Sequence, residues 1–73
     1  GDVVTIGRDP GCPIRIVHPS VSPVHCRIEW RQGAFQLKDL GSFTGIGCGG
    51  RICRNLTLKG RMEIRIGDMP VLC

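Results

Sequence analysis

The sequence has few aromatic residues and no long apolar run. Among its 73 residues are one Trp, two Phe and no Tyr. Proteins that bind RNA or single-stranded nucleic acid usually stack bases on several aromatic side chains, so the net charge of +4 alone does not indicate such a partner. A membrane-spanning helix needs about 18 consecutive apolar residues. Neither a membrane span nor a signal peptide is therefore predicted within the chain.

Blocks of like charge are also missing. The ten Lys and Arg residues are interleaved with six Asp and Glu residues. For example, Arg27, Glu29 and Arg31 alternate along one predicted strand. Mixed charge on alternating positions is typical of the solvated face of a sheet. We expect neither a nucleic acid nor a membrane as partner.

No stretch has helical periodicity, and this absence decides how the glycine-rich segment is interpreted. The segment SFTGIGCGG, residues 42–50, contains the pattern G-x-G-x-x-G in Gly45, Gly47 and Gly50. That pattern binds a nucleotide when a helix N-terminus follows it. Here Leu56 and Leu58 alternate with polar residues, which indicates a strand. The segment therefore predicts a turn with positive φ or a close backbone approach, and no cofactor is expected.

The five cysteines neither pair evenly nor follow a metal-binding spacing. An odd number would leave one outside a closed disulfide framework. Zinc sites use paired C-x-x-C or C-x-x-H ligands, whereas His25 directly precedes Cys26, and Cys48 and Cys53 are irregularly spaced. Cys26 alternates with Ile28, which indicates a small buried residue. We expect no metal, and an intracellular location, nuclear or cytoplasmic.

Short apolar alternations separated by Pro, Gly, Asp and Ser run along the chain and predict strands. The predicted strands cover residues 3–6, 14–17, 26–30, 35–37, 56–58 and 62–66, with a hairpin turn at 31–33. The predicted core consists of Ile6, Ile14, Ile16, Cys26, Ile28, Trp30, Phe35, Leu37, Leu56, Leu58, Ile64 and Ile66. Six short strands favour an all-β fold, an antiparallel sandwich or barrel.

A chain of this length forms one small domain with a net stability of about 3 to 5 kcal/mol. A large active-site cleft is not expected. Ser22 and His25 lack the elbow motif and oxyanion loop of a nucleophilic pair, so we predict no enzyme and no catalytic residue. Because the chain starts at Gly1 and ends at Cys73, we expect residues 1–73 to be a single domain from a longer protein.

Three loop motifs resemble those of the forkhead-associated (FHA) domain family. They are Gly7-Arg8 after the first strand, Ser22-Pro23-Val24-His25 before the hairpin, and the segment 39–45 after it, in the order and spacing of that family. The closing LKGRMEIRIG resembles the family's last block, with Arg61 or Met62 where Asp is usual. The resemblance covers nearly the whole chain. It implies a small antiparallel β-sandwich, and the extra strands usual in the family imply that this chain lacks edge strands.

The resemblance also implies a protein partner, recognised as a phosphothreonine peptide by the end loops. Arg8 would present two N–H groups to the phosphate, and Ser22 would donate a third hydrogen bond. Pro23, Thr44 and Gly45 would complete the peptide-binding set. The same resemblance assigns structural roles to Gly7 and His25, with His25 bracing the loops.

Several positions depart from the family pattern. Thr44 replaces an Asn, Pro23 replaces a basic residue, Gly49 replaces a second Asn, and Ile46 replaces a Thr. Each lost polar contact weakens binding by about 1 to 3 kcal/mol. Two hypotheses follow: a phosphothreonine-binding module with fewer contacts, or a degenerate scaffold or assembly subunit that binds its partner independently of phosphorylation. A third interpretation of Arg8 is a surface arginine paired with Asp9 or Asp39.

Overall fold

Nine short strands form two sheets in the computed structural model, which describes residues 3–72. The strands are β1 (Val3–Gly7), β2 (Ile14–Arg15), β3 (Cys26–Arg31), β4 (Ala34–Asp39), β5 (Ile46–Cys48), β6 (Arg51–Cys53), β7 (Asn55–Thr57), β8 (Glu63–Ile66) and β9 (Met69–Leu72). One sheet has the order β2-β1-β3-β4-β7 and the other β6-β5-β8-β9. All neighbouring strands are antiparallel except β1 and β2, which are parallel. The predicted all-β fold is confirmed, and no helix long and apolar enough to cross a membrane occurs in this span.

The hydrophobic core lies between the two sheets and draws on both. Its buried members are Ile6, Cys26 and Leu37 from the first sheet, Ile46, Ile64 and Ile66 from the second, and Val21 from a loop. Each is at most 3% exposed. Burying an aliphatic side chain of this size contributes about 1.5 to 3 kcal/mol. These few side chains therefore hold the sandwich together, and Cys26 is among them as predicted.

The core prediction was wrong at three positions. Trp30 is 50% exposed, Phe35 is 49% exposed and Ile14 is 41% exposed. Ile14 belongs to the two-residue edge strand β2. Trp30 pairs with Phe35 near the turn of the β3–β4 hairpin. The pair lies two residues closer to the turn than Ile28 and Leu37, which pack in or against the core. There the two rings pack edge to face, with centroids 4.7 Å apart.

The glycine-rich segment forms a hairpin that the sequence did not predict as strands. β5 and β6 are joined by Gly49 and Gly50, whose φ angles are 57° and 79°. A two-residue turn with positive φ at both central positions matches the right-handed twist of a hairpin and strongly favours glycine. The predicted positive-φ turn is confirmed, while β9 after the Gly67-Asp68 turn was also missed.

Strand register brings the loops of interest to one end of the first sheet. Ile6 pairs with Cys26, and Cys26 pairs with Asp39. The end of β1, the start of β3 and the end of β4 are therefore adjacent. The loop segments 8–13, 16–25 and 40–45 start or finish at this end of the sheet. Any site that they form must therefore lie there.

Candidate functional site

The loop after β1 is held against the segment that precedes β3. The Arg8 N–H donates to the Ser22 carbonyl and the Asp9 N–H to the Pro23 carbonyl, both at 3.0 Å. This approach requires glycine at position 7, since an added Cβ on Gly7 would lie 2.2 Å from the Pro23 carbonyl oxygen. The close backbone contact fixes Arg8 beside Ser22.

The Arg8 side chain is oriented by one hydrogen bond and is otherwise open to a ligand. Its Nε–H donates to the Val21 carbonyl at 3.0 Å. Within residues 3–72 it forms no ion pair: the Asp9 carboxylate accepts from the Gly11 N–H, and Asp39 pairs with another arginine. The interpretation of Arg8 as paired with either aspartate is therefore wrong. An arginine oriented through Nε presents its two terminal nitrogens, the arrangement suited to an oxyanion.

Ser22 joins its loop to the loop after β4. Its Oγ accepts a hydrogen bond from the Phe43 N–H at 3.0 Å. A hydroxyl that accepts from one group still has its own proton to donate. The Ser22 side chain is therefore fixed in place and keeps a donor for a ligand.

His25 is fully buried and connects both loops. Its Nδ1 accepts from the Ser22 N–H at 3.1 Å, and its Nε2 lies 2.7 Å from the Gly45 carbonyl oxygen. Because Nδ1 is an acceptor here, the ring proton is on Nε2, which donates to Gly45. The neutral imidazole thus braces Ser22 against Gly45.

A second set of hydrogen bonds orders the loop after β4. The Ser42 hydroxyl donates to the Asp39 carboxylate, and the Gly45 N–H donates to Ser42 Oγ at 2.8 Å. Arg54 donates to the Asp39 carboxylate at 2.9 Å and to the Ser42 carbonyl at 3.2 Å. Burial opposes ionisation of Asp39, but these hydrogen bonds and the Arg54 charge outweigh it and lower the pKa of that carboxyl.

These contacts place the predicted site residues around one cavity of about 650 Å³. It is lined by Arg8, His18, Pro19, Ser20, Val21, Ser22, Pro23, Phe43, Thr44 and Asp68. Arg8, Ser22, Pro23 and Thr44 are thus brought together from three different loops. Gly7 and Gly45 are not in the lining. Their backbones make the close contacts and hydrogen bonds that hold the surrounding loops. Peptide contact by any of them stays a prediction.

Thr44 lines the cavity, but its hydroxyl is not exposed to it. Its Oγ1 is buried and has no hydrogen-bond partner within residues 3–72. The hydroxyl therefore does not face a ligand in this conformation. Thr44 and Asp68 also line a second, adjoining cavity of about 550 Å³, which extends the concave surface toward β5, β6 and β8.

Sequence reasoning missed six residues of the cavity lining, among them His18 and Phe43. The His18 Nδ1 accepts from the Ser20 N–H at 3.1 Å and lies 2.6 Å from Ser20 Oγ, which itself accepts from the Asp68 N–H. The second ring nitrogen, Nε2, then carries the proton and is a donor. Phe43 is 93% exposed. His18 belongs to none of the motifs, and Phe43 lies in the 39–45 motif but was given no binding role there; the folded loops place both on the cavity.

Comparison with known proteins agrees with this geometry. The FHA domain family model matches residues 4–67. The first FHA domain of Rv1747 from Mycobacterium tuberculosis superposes with a TM-score of 0.89 and 30% identity over 99% of this chain and 76% of that one. No match was found among the curated proteins.

Two further solved structures are similar. An FHA domain from a structural and functional analysis of phosphothreonine-dependent FHA domain interactions has a TM-score of 0.88 and 26% identity over 96% of this chain and 73% of that one. Mycobacterium tuberculosis EmbR in complex with a low affinity phosphopeptide has a TM-score of 0.84 and 29% identity, covering 93% of this chain and 18% of EmbR. The family match spans most of the sequence, so the chain belongs to the forkhead-associated (FHA) domain family.

Proposed function

We propose that this domain binds a phosphothreonine-containing segment of a protein partner, with the phosphate held by Arg8 and Ser22. The observation that carries the proposal is the position of both side chains on one cavity, with Arg8 oriented through Nε and Ser22 fixed through Oγ. A phosphate monoester carries about −1.5 to −2 charges and three acceptor oxygens. An arginine and a hydroxyl donor match it in charge and in hydrogen bonding.

His18 adds a third donor to this proposal. It lines the cavity with Arg8, and a smaller neighbouring cavity is lined by the same two residues together with Val17 and Pro19. With Nδ1 occupied by Ser20, the Nε2–H is available for a phosphate or a peptide carbonyl. His18 would thus offset part of the polar contacts that Pro23 and Thr44 do not supply.

The comparisons support phosphothreonine as the ligand. One similar FHA domain comes from work on phosphothreonine-dependent interactions, and EmbR was solved with a phosphopeptide. The two adjoining cavities share Thr44 and Asp68. They would accommodate an extended peptide that continues past the phosphorylated residue.

A second candidate function is a scaffold that binds its partner independently of phosphorylation. It is favoured by the buried Thr44 hydroxyl and by Pro23, which has no N–H and no charge. A module with these losses keeps the loops of the family and has fewer contacts for the peptide. The two candidates differ in one measurable property, the preference for the phosphorylated form.

Titration with matched threonine and phosphothreonine peptide libraries tests the proposal. We expect the 73-residue chain to prefer the phosphorylated library and Arg8→Ala to remove that preference, because a charge-assisted contact worth about 1.5 to 3 kcal/mol is lost. Arg31→Ala is the matched control, since it removes one positive charge from an exposed side chain at the other end of β3. Equal binding of both libraries by the unmodified chain would instead favour the scaffold.

A further inference from the structure

Phe43 is the most exposed of the large apolar residues of the described span, and it lines the cavity of the proposed phosphate site. It is 93% exposed, whereas Trp30 and Phe35 each keep about half of their surface buried. Exposed apolar surface at a ligand-binding groove often belongs to the contact surface, whereas single exposed apolar residues elsewhere are common. Because Phe43 lines the cavity, its exposed ring is available to a ligand bound there.

The backbone of Phe43 is held firmly although its ring is free. Its N–H donates to Ser22 Oγ, and the residue before it, Ser42, is bound to Asp39 and to Arg54. The ring is therefore carried by an ordered loop at a fixed distance from the proposed phosphate site. Ordering the loop before binding lowers the entropic cost of any contact that the ring makes.

We infer that Phe43 selects partners with an apolar side chain one or two residues from the phosphothreonine. This inference rests on the proposed function. Successive residues of an extended peptide are about 3.3 to 3.6 Å apart, and an aromatic ring contacts a neighbouring ring at about 4.5 to 7 Å between centroids. Because the Phe43 backbone N–H donates to the Ser22 hydroxyl, the ring starts beside the proposed phosphate site and reaches residues close to the phosphothreonine.

The surroundings of Phe43 favour an apolar neighbour. An exposed ring can contact an apolar side chain or, through cation–π contacts, Lys or Arg. Pro19 and Pro23 add apolar surface to the cavity that Phe43 lines, and their side chains carry no charge. An aliphatic or aromatic side chain of the partner fits this combination.

A phosphothreonine peptide library with the flanking positions randomised tests the inference. We expect the unmodified chain to enrich aliphatic or aromatic residues at one position within two of the phosphothreonine. Phe43→Ser should lose this enrichment and keep its preference for phosphorylated over unphosphorylated peptides. Phe35→Ser is the matched control, because it removes a half-exposed aromatic ring at the opposite end of the same sheet.

Defined peptides then give a double-mutant cycle. Replacing the selected apolar residue of the peptide by Ser should weaken binding to the unmodified chain by roughly three- to tenfold, and to Phe43→Ser by less than twofold. A chain with phosphate preference but no apolar enrichment, or with enrichment that survives Phe43→Ser, overturns the assignment of Phe43 alone. A chain without any phosphate preference overturns the proposed function and this inference together.

Discussion

The buried His25 ring lies between the Ser22 amide and the Gly45 carbonyl, with its Nε2 2.7 Å from the Gly45 oxygen. It therefore connects the loop that carries the proposed phosphate donor with the loop that carries Thr44. His25 is not itself among the residues that line the cavity. Its contribution is to fold stability and to the relative position of the two loops.

We predict that His25→Ala strongly destabilises the domain. The substitution leaves the Ser22 N–H and the Gly45 carbonyl without partners, at a cost of about 1 to 3 kcal/mol for each buried group. A domain of this size has little more than that to lose. Urea denaturation followed by Trp30 fluorescence measures the effect. A free energy of unfolding within about 0.5 kcal/mol of the unmodified chain would contradict the bracing role.

The Asp39 carboxyl should make stability depend on acidity. Its pKa is lowered in the folded state, so its stabilising contribution is complete above the ordinary carboxyl range and is lost as pH falls through the lower folded value. We expect Asp39→Asn to be less stable at pH 7, with a difference from the unmodified chain that shrinks on acidification toward pH 3. Denaturation at several pH values measures this difference.

Glu63→Gln is the control for Asp39, because Glu63 is an exposed carboxylate on β8. Its difference in stability from the unmodified chain should stay nearly constant over the same pH range. If the Asp39→Asn difference is also constant, the ion pair with Arg54 contributes nothing to the fold.

His18 combines a turn contact with a proposed ligand contact, and two substitutions separate them. Asn at position 18 can accept from the Ser20 N–H through its side-chain oxygen, as short polar residues do in turns, but lacks a group equivalent to Nε2. We expect His18→Asn to keep the stability of the unmodified chain and to bind phosphopeptide roughly three- to tenfold more weakly. His18→Ala should lose both. Equal phosphopeptide affinity of His18→Asn and the unmodified chain would remove His18 from the site.

Cysteine reactivity tests the packing of the core. Burial, together with the charges of Asp39 and Cys12, raises the pKa of Cys26 to about 12. Because the thiolate is the reactive form, only about one molecule in ten thousand is reactive at pH 8. We expect a thiol reagent to label the half-buried Cys48 and Cys53 in the native chain. Cys26 should be labelled only in urea, as measured by peptide mapping. Rapid native labelling of Cys26 would show that the sheets separate readily.

Alternation alone predicted six of the nine strands, but it did not predict β5, β6 and β9 or the limits of the core. Alternation placed Trp30 and Phe35 on the same face as Cys26 and Leu37, and this is correct as a statement about direction. Whether a residue on that face is covered depends on how far the second sheet extends. That extent is a property of the packed sandwich, which the local pattern does not contain.

At the site, too, the sequence motifs predicted the loops but not the side-chain conformations. The Gly7-Arg8 and Ser22-Pro23 motifs located two loops of the cavity, because family spacing is visible in a sequence. The burial of the Thr44 hydroxyl was not visible, since it depends on a side-chain conformation. Phe43 lies within the 39–45 motif, but the motif gave it no role, and its exposure depends on the folded loop.

Thr44→Asn should strengthen phosphopeptide binding. The threonine hydroxyl is buried and unpaired, whereas the longer asparagine amide both donates and accepts and would reach the bound peptide backbone. We expect the dissociation constant to fall roughly tenfold, or about 1.4 kcal/mol. Calorimetry of the unmodified chain, Arg8→Ala and Thr44→Asn against one phosphopeptide at two salt concentrations measures both the size and the origin of the effects.

The salt dependence separates the two substitutions. The Arg8 contact joins a guanidinium to a phosphate, so the effect of Arg8→Ala should shrink as added salt screens the charges. The Thr44→Asn effect rests on neutral hydrogen bonds and should change little. Thr44→Val is the matched control, because it keeps the shape of the side chain and removes only a hydroxyl that has no partner within residues 3–72; its affinity should equal that of the unmodified chain. If the unmodified chain shows no phosphate preference and Thr44→Asn creates none, the loops do not form a phosphate site, and the phosphorylation-independent scaffold becomes the better account of this domain.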